Sequence, residues 1–333
     1  MATDRSAWLA RHHEEALEPD LPIVDAHHHL WDFPGDRYLL EELRADTGTG
    51  HAVVQTVFVE CGDGYRVDGP EALRPVGETE RVALLAAASD ATPGARVAGI
   101  IGFADLRRGA AVEDVLAAHV EAGGGRFRGI RHASAWDASE EVGNAHTDPP
   151  PGLLTDPGFR AGVEALGRAG LSFDAWLYSP QLGELVDLAR RCPDVTIVVD
   201  HLGGPPAIGP YDARRPEVLA GWRIGMASVA ACPNVCLKLG GFGMPIMGPD
   251  WHERPAPPSS EDVASEWGPT VRWAVEAFGA DRCMFESNFP VDGWTIGYAV
   301  LWNACKRMVS DASPAERDAL FRGTATRVYR LGG

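Results

Sequence analysis

The sequence predicts an α/β fold, a (β/α)8 TIM barrel in a single domain, on three observations. Eight short β-branched runs alternate with longer stretches of helical periodicity along nearly all of the 333 residues. Most of those runs are apolar on both faces, as strands are when helices cover a parallel sheet. Ionisable residues recur at their C-terminal ends, where a barrel assembles its active site. The competing arrangement is an open doubly wound sheet, but no glycine-rich GxGxxG turn follows the first run.

In chain order the first four strand candidates are LPIVDAHHH (21–29), VVQTVFVE (53–60), VAGIIGFADL (97–106) and FRGIRHAS (127–134). LSFDAWLY (171–178), VTIVVDHL (195–202), VCLKLGG (235–241) and RCMFESN (282–288) complete the eight. Helical stretches separate them. DPGFRAGVEALGRAG carries an Asp, an early Pro and a closing Gly, the signals that start and stop a helix. SPQLGELVDLARRCP opens similarly, with Ser179 as its expected cap. SSEDVASEWGPTVRWAVEAFG has a Ser259-to-Asp262 capping pattern and contains Pro269, an expected kink. Residues 1–20 read as an N-terminal helical extension that packs across the barrel bottom or a partner subunit, and 21–333 as the barrel. Loop insertions are expected near 143–158 and 242–260; both follow strands, on the side where barrels keep their active sites.

Composition narrows the function. The formal net charge is −17 and no block of Lys or Arg interrupts it, which argues against nucleic acid or an anionic membrane as partner. No apolar run approaches the roughly 18 residues of a membrane helix, and no secretory signal pattern opens the chain. Six cysteines without CxxC pairs read as reduced and buried. A cytoplasmic protein acting on a small molecule is expected, with homo-oligomerisation open.

Side chains alternate along a strand, so His27 and His29 share a face with Asp25 while His28 points away. Further candidates stand at later strand ends: Glu60 on the second, Arg131 and His132 on the fourth, Asp174 on the fifth, Asp200 and His201 on the sixth, Lys238 on the seventh. Such residues are costly inside apolar strands unless partnered. Any one of them alone has a bland reading as a structural ion pair. Together they read as a site, which the loop residues Trp136, Asp137, Tyr178, Trp251 and His252 are expected to shape.

DAHHHLWD, GIRH, DHLGGP, KLGG and MFESNFPVD, in this order, resemble amidohydrolase family 2, and within it the branch of 2-pyrone-4,6-dicarboxylate lactonase and fuconolactonase. The resemblance runs from about residue 21 to GTATRVYRL near the C-terminus. It implies a (β/α)8 barrel and hydrolysis of a small, carboxylated lactone or related cyclic ester. Carried over residue by residue, His27, His29, Arg131, His132 and His201 surround the substrate's carbonyl and carboxylate groups. Preorganised cationic donors suit the negative charge that a lactone carbonyl gains on attack, and Arg131 is placed to clamp a carboxylate bidentately.

One departure matters. Where these hydrolases carry an Asp that activates water, this chain has Asn288, whose amide has no useful basicity. Glu286, Asp292 and Asp174 are the alternative bases. The same departure bears on metal: His27, His29 and His201 can form a three-histidine site for one divalent ion, zinc or manganese, and a metal-free pocket is equally open. Two other functions compete with hydrolysis. One is decarboxylation or hydration of a carboxylated ring compound. The other is a catalytically altered barrel that only binds a metabolite.

Overall fold

The computed structural model describes residues 2–332. Eight parallel strands follow one another around a barrel: β1 (Ile23–His28), β2 (Val53–Val59), β3 (Arg96–Gly102), β4 (Phe127–Arg131), β5 (Ser172–Ala175), β6 (Ile197–Val199), β7 (Val235–Leu239) and β8 (Cys283–Phe285). Each lies within one of the apolar runs read from the sequence, except that β3 begins one residue earlier, at Arg96. The seam between β8 and β1 closes through the chain just past β8. There Asn288 N donates to His27 O at 2.8 Å and His29 N to Phe289 O at 2.8 Å.

A helix follows each strand: α1 (Leu40–Thr47), α2 (Val76–Asp90), α3 (Glu113–Ala122), α4 (Pro157–Arg168), α5 (Leu182–Arg191), α6 (Arg215–Ala230), α7 (Ser260–Phe278) and α8 (Tyr298–Met308). The predicted caps form where an acceptor reaches an orphan amide. Asp156 accepts from Phe159 N at 2.8 Å, and Ser259 and Asp262 make a reciprocal capping box. Ser179 makes no side-chain cap; Gln181 instead ties this turn to the loop after β4, accepting from Tyr178 N and Trp136 N and donating to Ser134 O. The helix α7 continues through Pro269. A small antiparallel hairpin, Trp31–Phe33 with Asp36–Tyr38, stands between β1 and α1.

Two layers of apolar packing support the site. The larger core lies between strands and helices. The smaller one fills the barrel itself: Val24, Ala26, Val57, Val59, Ile101, Val198, Cys236 and Met284 point inward and meet Tyr329 and Leu331 of the C-terminal segment. Each such large side chain contributes on the order of 1.5–3 kcal/mol on burial. The C-terminal segment therefore plugs the barrel bottom, where Gln55 Nε2 also donates to Gly332 O.

The N-terminal extension departs from expectation in shape and place. Its helix spans only Ala2–Leu9, and the chain from there to β1 is irregular. It lies against α7, α8 and the loop after β7 rather than beneath the barrel. Trp8 Nε1 donates to Arg254 O at 2.9 Å, Glu14 accepts from Ser260 N and Asn303 Nδ2, and Lys306 donates to the carbonyls of Leu17 and Glu18. Polar groups spent on these neighbours are withdrawn from helix formation. No helix among the described residues is long and apolar enough to cross a membrane.

Candidate active site

β1 is irregular between Asp25 and His28, so His27 follows the inward-facing Ala26 and enters the barrel mouth with His29. Asp25, expected on their face, instead turns outward to accept from Tyr298 Oη of α8 at 3.0 Å, and His28 points outward, its Nε2 2.9 Å from Thr56 Oγ1. His29 Nδ1 lies 2.8 Å from Val59 O; a carbonyl only accepts, so that nitrogen carries the proton and Nε2 keeps its lone pair. His27 Nε2 is 3.2 Å from His29 Nε2. Burial, with Lys238 beside His27 and Arg131 beside His29, pushes both imidazoles well below the usual histidine range, so both are neutral near pH 7.

His201 enters from the end of β6, in the left-handed region at φ 49°, and its ring centroid lies 4.6 Å from that of His27. Glu286, one residue past β8, spans the two rings from below. Its Oε1 accepts from His201 Nδ1 at 2.7 Å and from His201 N at 3.1 Å, and its Oε2 is 3.0 Å from His27 Nδ1. Burial alone would raise the Glu286 carboxyl, but His201 and His27 hold it down at about 2. The KLGG run makes room for this. A Cβ on Gly240 would stand 2.2 Å from Glu286 Cγ, and one on Gly241 2.8 Å from His201 Cβ.

A buried ionic layer lies under the rings. Lys238 Nζ donates to Asp174 Oδ2 at 2.8 Å and stands 2.9 Å from Asp200 Oδ1 and 3.2 Å from His27 Nδ1. Asp174 also accepts from Tyr329 Oη at 2.6 Å and Ser172 Oγ at 3.2 Å. On the opposite side Arg131 Nε donates to Glu60 Oε1 at 2.7 Å, and Nη2 donates to the Glu60 carbonyl. Its Nη1 is 3.4 Å from His27 Nε2. Burial raises the Glu60 carboxyl, yet Arg131 and His146 bring it to about 2.

The bidentate clamp expected of Arg131 is thus already spent on Glu60, and only Nη1 faces the histidines. His132 does not join the cluster either. Because Arg131 points inward its neighbour points outward, so His132 accepts from Leu106 N and packs between Phe103 and Phe159. Asn288, at φ 54°, donates Nδ2 to Asp292 Oδ1 at 2.9 Å, and Gly243 N donates to the other Asp292 oxygen. Burial raises Asp292 to about 7.

Among the loop residues, Tyr178 donates to Gly143 O, Trp136 is half-buried, and Trp251 is buried in the hydrophobic core. Sequence reasoning missed three neighbours of the cluster. Trp31 stacks on His29 with centroids 5.8 Å apart, Trp176 meets His201 edge-on at 4.9 Å, and His146 Nε2 lies 3.1 Å from Glu60 Oε2. Trp31 lies inside the quoted DAHHHLWD and Trp176 inside the fifth strand run LSFDAWLY, where each passes for a packing residue; His146 sits in a loop with no periodicity to expose it.

The residues present fit a divalent cation. Four buried carboxylates, Glu60, Asp174, Asp200 and Glu286, face two fixed cations, Lys238 and Arg131. Both oxygens of Asp200 and Oε2 of Glu286 lack a hydrogen-bond partner, their nearest nitrogens standing off alignment. His27, His201 and Glu286 converge with ligand atoms all within 4.8 Å of one another, and His29 Nε2 adjoins them. Imidazole nitrogens over an excess of negative charge are a natural cation site.

Eight parallel strands closed into a barrel, with ionisable side chains gathered at their C-terminal ends, are the architecture of a barrel enzyme. The amidohydrolase family model matches residues 24–331, and the chain belongs to that family. An uncharacterized protein of Sinorhizobium fredii, y4mH, is 33% identical over 94% of this chain and 99% of its own length. An L-fucono-1,5-lactonase of Burkholderia multivorans is 27% identical, covering 92% of this chain and 96% of the relative. In fold, the chain resembles an amidohydrolase from Burkholderia multivorans crystallised with bound zinc, at a TM-score of 0.71 and 24% identity, covering 93% of this chain and 99% of that one.

Proposed function

We propose that the protein hydrolyses a small lactone at this centre, with His27, His29 and His201 holding one divalent ion and Glu286 orienting two of them. The observation that carries the reading is the convergence of three imidazoles over carboxylates that outnumber their cations. Similarity to the Burkholderia lactonase supports the substrate class, and the zinc in the Burkholderia amidohydrolase supports the choice of metal.

When bound, such an ion supplies Lewis acidity and lowers the pKa of water at the centre. The chain's own residues do the rest. His29 is locked into its Nδ1–H tautomer by Val59 O. The Glu286 carboxylate accepts from Nδ1 of His201, which turns that ring's Nε2 toward the open face, while its second oxygen and Lys238 flank His27 Nδ1. Arg131 Nη1, held by the Glu60 pair 3.4 Å from His27 Nε2, stabilises the oxyanion that forms at the carbonyl. Asn288, its Nδ2 engaged by Asp292, accepts a hydrogen bond from water without taking its proton. The flanking indoles of Trp31 and Trp176 give a flat ring apolar walls.

A panel of sugar-derived, aliphatic and carboxylated lactones tests the reading, with and without chelator. Hydrolysis of at least one member is expected, lost on chelation and restored by zinc. Carbon dioxide release from a carboxylated ring compound, or binding without turnover across the panel, would contradict it.

A further inference from the structure

Among the described residues around the cluster, His146 combines a buried charged partner with open access. It lies in the loop between β4 and α4, 3.1 Å from Glu60 Oε2 through Nε2. Its side chain is 44% exposed, while that of Glu60 is fully buried. The loop is fixed on both sides of it. Ala145 N donates to Ala135 O at 2.9 Å, and Thr147 Oγ1 donates to Ala133 O at 2.6 Å. Glu60 is pinned in turn by Arg131, whose Nη1 stands 3.4 Å from His27 Nε2. One guanidinium therefore separates the His146–Glu60 pair from the converging imidazoles.

A carboxylate that takes one N–H of an imidazole orients the ring and fixes which nitrogen faces outward, as the buried aspartate of a serine-protease triad does. Glu60 engages Nε2, which leaves Nδ1 to exchange protons with a ligand or with solvent. Lactone opening has a matching need. Water oxygen bonds to the carbonyl carbon, the bond from that carbon to the ring oxygen breaks, and the ring oxygen leaves with the electron pair. An aliphatic alkoxide is a poor leaving group unless a proton arrives with the bond cleavage. Lys238 is committed to Asp174 and Asp200 in the barrel interior, and the Asn288 amide is not an acid.

Resting on the lactonase reading above, we infer that His146 is the general acid of ring opening, passing its Nδ1 proton to the departing ring oxygen of an aliphatic lactone. The attacking water gives one proton to solvent as its oxygen bonds to the carbonyl carbon, the imidazole regains one from solvent, and the new carboxylic acid then ionises. One water is consumed and no other reactant is required. Aliphatic lactones, whose alkoxides need the proton most, are the substrate class this arrangement favours.

Full-length His146→Gln and His146→Ala proteins, assayed on δ-valerolactone and on dihydrocoumarin, test the assignment. Dihydrocoumarin departs as a phenolate and needs little help. His146→Gln is expected to lose about 100-fold in kcat on δ-valerolactone but less than about threefold on dihydrocoumarin. Added imidazole is expected to restore δ-valerolactone turnover to His146→Ala, which a purely structural histidine would not allow. Equal losses on the two lactones, an unaffected His146→Gln, or no rescue by imidazole would overturn the role. A wild-type protein inert toward both would sink the lactonase reading, and the role of His146 with it.

Discussion

Replacing Lys238 with methionine is expected to destabilise the protein by about 3 kcal/mol or more, because it strands buried carboxylates without their shared cation. Lys238 is fully buried between Asp174 and Asp200, and both carboxylates lie at zero exposure. Burial opposes the ammonium charge, but Asp174, Asp200 and Glu286 more than offset it and raise its pKa. A methionine of similar length fills the space and leaves the anions. The loss reads out in denaturant unfolding as a fall in midpoint at unchanged slope. A second replacement, Asp174→Leu, is expected to return part of the stability, since removing both partners of a buried pair costs far less than removing one. A Lys238→Met protein as stable as wild type would mean that Asp174 and Asp200 do not both carry charge in the fold.

Glu286→Gln is expected to weaken metal binding by about 10–100-fold while leaving the barrel folded. The glutamate accepts from His201 Nδ1 with one oxygen and faces His27 Nδ1 with the other. An amide oxygen is a weaker acceptor than a carboxylate, so the Nδ1–H form of His201 is favoured less. That ring can then turn its proton toward the site, where a ligand needs a lone pair. Competition with a chromophoric chelator measures the change directly. Unaltered affinity would show that Glu286 does not set the tautomers.

Much of this was legible in the sequence, for physical reasons that differ from element to element. The eight strands stood out because a strand covered on both faces is apolar on both faces, a pattern few other environments impose. His27, His29, His201 and Lys238 stood out because polar groups in such strands need partners. Partner identity was not legible. Alternation shows which face a residue takes, but not that Arg131 would spend its guanidinium on Glu60. It does not show that Tyr329, 155 residues beyond Asp174, would reach up the barrel axis to bond it. His132 was misplaced for a simpler reason: adjacent residues in GIRH cannot both point inward. Asn288 drew attention as the missing carboxylate, and the charge is found two residues earlier, at Glu286, where the glycines of KLGG leave it space. The N-terminal extension carried helix-forming residues, but its polar groups found better partners on α7 and α8.

Metal content tests the central claim most directly, measured by elemental analysis on protein purified without chelator, for wild type and for a His27→Asn, His29→Asn double variant. About one equivalent of zinc per wild-type chain is expected, absent from the variant along with its lactone hydrolysis. A metal-free wild type that hydrolyses lactones at full rate would contradict it, and would make the imidazoles direct contacts to the substrate.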